Sequence, residues 1–213
     1  HTACRRQRQM CIRDRACTFC DINNLWKKFR YRSGENIADE MLEAYKKYGT
    51  KEFYFTDSLI NGNVKEFVRL CEMLVQYKKE GKLPKETSFG GQWICRPINQ
   101  FGENYYKIAS EAGLYNLSIG MESASDEVLE SMKKGVTKKD YDFQMEMMLK
   151  YGIRGNFLMI IGYPTETRED FEKTLDMFTE YKKYSDAGVI WGVNLGKTLV
   201  VLPGAPLGEN PDH

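Results

Sequence analysis

From residue 16 onward, apolar positions recur at two alternating spacings, and each spacing predicts an element. GENIADEMLEAYKKYG (34–49) puts Ile37, Met41, Leu42, Tyr45 and Tyr48 on one helical face and ends at Gly49, a helix-stopping residue. EFYFTDS (52–58) reads as a short aromatic strand followed by a turn. NVKEFVRLCEMLVQYKKEGK (63–82) is a second amphipathic helix, with Val64, Phe67, Val68, Cys71, Leu74 and Val75 inward. SFGGQWICR (88–96) is a strand limited by Pro97; a helix near 101–112 ends at Gly113; YNLSIGME (115–122) is the next strand. Helices near 126–132 and 138–151 lead to IRGNFLMIIG (153–162), an apolar run suited to a strand buried on both faces. A helix over about 167–184 precedes VIWGVNLG (189–196), which TLVVLPG (198–204) extends or follows.

This β-then-α order implies an α/β fold with a parallel sheet and right-handed crossovers. Periodicity alone leaves an open doubly wound sheet and a partial barrel both standing. Either form collects functional groups where strands end. Asp57-Ser58, Glu122-Ser123 and Gly162-Tyr163-Pro164 each follow a strand, so a shared rim brings them together.

Composition narrows the chemistry. The 213 residues carry two His, and these are His1 and His213. That removes Ser-His-Asp and Cys-His catalysis and His-ligated zinc. A net charge of +1 speaks against a dedicated nucleic-acid binder, and no apolar run reaches the length of a membrane span. The six Cys suggest no disulfide framework, which points to a reducing cytoplasm.

Residues 1–15, HTACRRQRQMCIRDR, differ from the rest: five Arg, no Lys and no hydrophobic period. They read either as a basic tail for phosphate or anionic membrane, or as a non-native tail, since RRQRQMCIRDR resembles translated sequencing-adapter read-through. On the second reading the native domain begins at residue 16 and both of its ends are truncated. Five Arg and one Asp then leave the tally, the net charge turns negative, and two Cys go with them.

Cys17-Thr18-Phe19-Cys20 is the one tight Cys pair outside that tail. At this spacing a single loop turns both sulfurs toward one metal or cluster, or forms a redox dithiol; two unrelated thiols are the remaining option.

ACTFCDIN (16–23) resembles the cluster loop of radical S-adenosylmethionine enzymes, Cys-x-x-x-Cys-x-aromatic-Cys, with Cys17, Phe19 and Cys20 at its last three marked positions. FYFTDSLINGN (53–63), IGMESASDEVLESMKKG (119–135), LMIIGYPTET (158–167) and PGAPL (203–207) resemble, in order, later elements of family members that often carry a cobalamin domain. One departure stands out. The first loop Cys belongs at position 13, which is Arg13; Cys11 lies six residues before Cys17, inside the suspect tail.

The resemblance implies a partial (β/α)6 TIM-like barrel. It also implies a 4Fe-4S cluster held by Cys17, Cys20 and a third thiolate. The open iron would chelate S-adenosyl-L-methionine, and reductive cleavage would yield a 5′-deoxyadenosyl radical. Phe19 would shield the cluster; Asp57 and Ser58 would lie where the family binds the substrate amino group. Glu122 and Ser123 would contact the methionine or ribose, while Ile160 and Gly162 would pack near the adenine. Cobalamin would come through an upstream domain, and electrons from a donor such as flavodoxin or ferredoxin. The substrate, a small molecule or peptide, is not readable. A non-catalytic metal-binding or thiol redox module using Cys17 and Cys20 is the competing function.

Other residues have plainer readings. Asp57 suits a turn or helix cap, Ser125 the cap of the helix starting near Asp126, and Glu166 a capping interaction with the helix over 167–184. Arg96 suits a carboxylate site or a solvated strand end. Cys71 and Cys95 read as core, and Met145, Met147 and Met148 as helix packing and surface. Lys133-Lys134 and Lys182-Lys183 read as solvated faces.

Overall fold

A computed structural model of the chain describes residues 17–20, 31–195 and 199–209. Among the described residues, five strands and seven helices follow in this order: α1 (Gly34–Tyr48), β1 (Glu52–Phe55), α2 (Val64–Lys79), β2 (Ser88–Trp93), α3 (Glu103–Ala112), β3 (Leu114–Glu122), α4 (Asp126–Ser131), α5 (Lys138–Tyr151), β4 (Arg154–Met159), α6 (Arg168–Asp186), β5 (Ile190–Asn194) and α7 (Pro206–Glu209). The strands pair in parallel in the order β1-β2-β3-β4-β5. A doubly wound sheet reverses its strand order at a switch point. This one never reverses, so it is a wall of a TIM-like barrel.

Local chemistry explains the helix limits. Ser33, Asn63 and Ser125 cap α1, α2 and α4 by accepting from Asn36, Glu66 and Val128 backbone N–H groups. Thr137 with Asp140, and Thr167 with Asp170, form capping boxes at α5 and α6. Gly113 ends α3 at φ 104°, a backbone state that L side chains rarely adopt.

The core lies between the sheet and its helices. Phe89 and Trp93 of β2, Leu117, Ile119 and Met121 of β3, and Phe157 and Met159 of β4 meet Leu74, Tyr106, Tyr141 and Met145 from the helices. Buried Trp93 donates Nε1 to Gln144 Oε1 at 3.0 Å, and Tyr141 donates to Met121 O at 2.5 Å, so the polar ends of both rings are satisfied. Cys71 and Cys95 are core residues with no exposure.

Several expectations change. Burial in β4 alternates instead of covering both faces: Gly155, Phe157 and Met159 are buried, while Asn156 and Leu158 are half-buried on the other face. There Ser118 Oγ donates to Asn156 Oδ1 at 2.8 Å, and Trp191 Nε1 reaches Asn116 Oδ1 at 2.8 Å. The alternation was masked because Leu158 lies between Phe157 and Met159 and the apolar run continues past the strand through Ile160 and Ile161. Tyr48, expected inward, is 61% exposed as the last residue of α1. Met145, Met147 and Met148 are all buried. Residues 199–204 form no strand; the strand expected over 198–204 is absent from its described part, where Val200, Val201 and Leu202 are exposed.

Candidate functional site

Parallel strands put all their C-terminal ends on one rim, and the sequence-derived candidates lie there. The Cys loop is built as a turn, with Cys20 N donating to Cys17 O at 3.2 Å. Cys17 is buried and Cys20 half-buried. Thr18 is tied to three distant segments. Its N–H donates to Met132 O at 3.1 Å, its carbonyl accepts from Leu207 N at 2.8 Å, and its hydroxyl lies 2.6 Å from the Tyr163 hydroxyl. Phe19 packs with Ile160 and Leu199 against a second apolar cluster of Val128, Met132, Tyr163 and Leu207. The loop is therefore seated on α4, the turn after β4, and α7.

Beside it, β3 ends on an unusual backbone. Glu122 has φ 68°, the left-handed region that is costly for a residue with a side chain. This geometry turns the carboxylate back over the strand, where Lys134 Nζ donates to Oε1 at 2.8 Å. Both side chains are buried, at 10% and 5% exposure. A Cβ at Gly120 would lie 2.4 Å from that Glu122 oxygen and 3.2 Å from the Lys134 nitrogen, so any side chain here would push the ends of the pair aside. The same ammonium stands 5.9 Å from the centre of the Phe19 ring, a cation–π distance that links the pair to the Cys loop. Glu122 O also accepts from Ile160 N at 2.9 Å, which ties β3 to the end of β4.

The remaining candidates divide. Gly162, at φ 78°, donates its N–H to Glu166 Oε2 at 2.6 Å and so closes the Gly-Tyr-Pro-Thr-Glu turn. Glu166 is thus a turn clamp; capping of α6 falls to Thr167 and Asp170. Ser123 is fully buried, and its hydroxyl accepts from Ser125 N at 3.2 Å. Ser125 donates to Asp170 Oδ1 at 2.6 Å. Hydrogen bonds from Ser125 and then Thr167 hold the Asp170 carboxyl well below the usual carboxylate range. Asp57 and Ser58 sit past the end of β1, two strands away from Glu122, or roughly 10 Å across the sheet. They share the rim but not the Phe19–Glu122–Ile160 group.

Arg96 is not a solvated strand end. It is buried and donates to Asn61 O and Gly62 O, while Asn61 bonds Ile94 through both ends of its amide. Together they fasten the loop after β1 to the end of β2. Lys134, expected on a solvated face, is one of the two charges at the heart of the site. A Lys-Lys doublet carries no local sign of burial; the Gly-x-Glu spacing upstream was the available signal.

The donor set fits a soft metal or cluster in part. Two thiols share one turn, and Phe19, between them in sequence, packs into the neighbouring apolar cluster. Among the described residues no three His, Cys, Asp or Glu side chains gather as a metal-holding group. Cys11, Arg13 and the whole of residues 1–15 lie outside the described residues. Among those residues, no helix is long and apolar enough to cross a membrane.

Known proteins place the chain. It is 31% identical over 161 residues to the uncharacterized methyltransferase PH0819 of Pyrococcus horikoshii, covering 75% of this chain and 33% of the relative. It is 33% identical over 184 residues to the ribosomal protein uS12 methylthiotransferase RimO of Clostridium botulinum, covering 78% and 37%. The chain thus spans about a third of the length of these relatives. Its fold matches the radical S-adenosylmethionine methyltransferase TsrM from Kitasatospora setae, solved with cobalamin and a 4Fe-4S cluster. The TM-score is 0.75 at 22% identity, over 91% of this chain and 34% of that one. The cobalamin-dependent radical enzyme OxsB gives 0.71 at 16%, over 92% and 33%. With the Radical SAM superfamily profile matching residues 11–178, over most of its length, this chain belongs to the radical S-adenosylmethionine superfamily.

Proposed function

We propose that this chain is the catalytic core of a radical S-adenosylmethionine enzyme. The observation that carries the reading is convergence: the Cys17–Cys20 loop, the buried Glu122–Lys134 pair and the turn at Gly162 meet at one strand-end rim. Cys17 and Cys20 would supply two thiolates to a 4Fe-4S cluster. When bound, that cluster supplies the electron that cleaves the sulfonium of S-adenosylmethionine, taken from a donor of the flavodoxin or ferredoxin kind.

The protein's own groups bind, orient and exclude water. Phe19 and Ile160 present apolar surface that keeps solvent from the reacting centre. Glu122 offers a carboxylate for an ammonium or ribose hydroxyl, and Lys134 fixes its direction. Ser123 is held by Ser125 at the start of the loop into α4. Gly162 brings bare backbone to the rim where an adenine ring would need close approach. No His base is involved, in keeping with histidines at the two chain ends alone. The relatives support a group-transfer reaction of methyl or methylthio type, and the fold neighbours an accompanying cobalamin domain.

Anaerobic reconstitution with iron and sulfide tests the reading. Visible cluster absorbance bleached by dithionite, with 5′-deoxyadenosine released on adding S-adenosylmethionine, is the expected result. Zinc uptake, or a reversible dithiol with no iron bound, overturns it.

A further inference from the structure

We infer that Tyr163, acting through Thr18, is a positioning residue that sets the presentation of the Cys17 and Cys20 thiols at the rim. This rests on the cluster reading above. The loop is a four-residue turn with one internal backbone bond, Cys20 N to Cys17 O, which is too little to offset the entropy of fixing it. Order also comes from outside, and Thr18 carries three of the hydrogen bonds that bring it. Two backbone bonds, from Thr18 N to Met132 O and from Leu207 N to Thr18 O, fix the path of the chain. The side-chain bond adds the third direction: Thr18 Oγ1 meets Tyr163 Oη at 2.6 Å.

The Tyr163 ring itself belongs to the apolar cluster that receives Phe19, and it is 3% exposed. Its hydroxyl also reaches Ser131 O at 3.5 Å, a long contact that would satisfy it poorly alone. A turn between Gly162 and Pro164 needs no phenol, and apolar packing would be served equally by Phe. The hydroxyl is accounted for by Thr18. One ring thus joins the turn after β4, the end of α4 and the Cys loop, and it fixes Thr18 between the two thiols.

Alkylation of the apo chain by N-ethylmaleimide, read at each Cys by peptide mass mapping, tests this without any cluster. Thr18→Val and Tyr163→Phe should each raise the Cys17 and Cys20 rates about fivefold, the effect of one lost hydrogen bond. Cys71 and Cys95 should stay protected, which shows that the core is intact. Thr18→Ser keeps the hydroxyl and should hold the wild-type rate. The double variant Thr18→Val with Tyr163→Phe should match the singles, because both remove the same bond. Wild-type rates in either single, a Thr18→Ser rate as high as Thr18→Val, or additive effects overturn the inference. In the reconstituted protein, the same two singles should lose iron to a chelator about fivefold faster. A wild type that takes up no iron overturns the cluster reading, while the alkylation rates still decide the role of Tyr163.

Discussion

Lys134 Nζ lies 2.8 Å from Glu122 Oε1, with both side chains almost withdrawn from solvent. Burial makes the pair sensitive to mutation: removing Lys134 takes from the buried Glu122 carboxylate the ammonium that faces it. Lys134→Met is expected to cost about 3 kcal/mol in denaturant unfolding. Lys134→Met combined with Glu122→Gln should recover much of that loss. A single variant as stable as wild type would show that the pair is not closed in solution.

Gly120→Ala adds one methyl group where two charged atoms already meet, 2.4 Å and 3.2 Å away. The Glu122 and Lys134 ends must shift, at about 1–3 kcal/mol. Binding of S-adenosylmethionine, measured by calorimetry on the reconstituted protein, should weaken at least tenfold. Unchanged affinity would remove Glu122 from the binding surface.

Asp170 predicts an acid limb of stability. Its carboxyl is held ionised in the folded state by Ser125 and Thr167. That contribution is fully present above the unfolded carboxyl value near 3.9 and is lost as pH falls below it toward the depressed folded value. Asp170→Asn should cost about 1–2 kcal/mol at neutral pH, with the gap from wild type closing in acid. Parallel curves at all pH would refute this. The same measurement reports on the site, since Ser125 holds Ser123.

The four described cysteines should separate cleanly. Cys17→Ala and Cys20→Ala are expected to abolish or sharply lower iron uptake on reconstitution, whereas Cys71→Ala and Cys95→Ala should retain it. Burial pushes the Cys71 thiol far above its ordinary range, so it should also resist alkylation in the folded chain. Iron loss on replacing Cys71 would reassign the ligands.

The sequence made helices legible where their ends carry chemistry. Ser125, Gly49 and Gly113 each mark a terminus that a local rule can read. The rim was legible too, because alternating strands and helices dictate it. What stayed hidden depends on contacts across long separations. Thr18 and Tyr163 are 145 positions apart, and neither has a neighbour that announces the bond. Lys134 looked solvated because its partner lies twelve positions back, across a strand end and a helix. Arg96 and Asn61 satisfy backbone groups, which no pattern of side chains reveals. The strand β4 misled because Leu158 and the isoleucines after Met159 extend one apolar run over its alternation.

The bond from Leu207 N to Thr18 O has a consequence for biosynthesis. The thiols leave the ribosome well before Leu207, which supplies one strut of their seat. At about 5–20 residues per second that interval is roughly 10–40 s. During it Cys17 and Cys20 hang from a nascent chain with no completed cradle, open to oxidants and stray zinc. Their seat is therefore completed only once Leu207 has been made, and the two thiols should react faster with alkylating reagents in a chain stopped before Leu207 than in one that contains it.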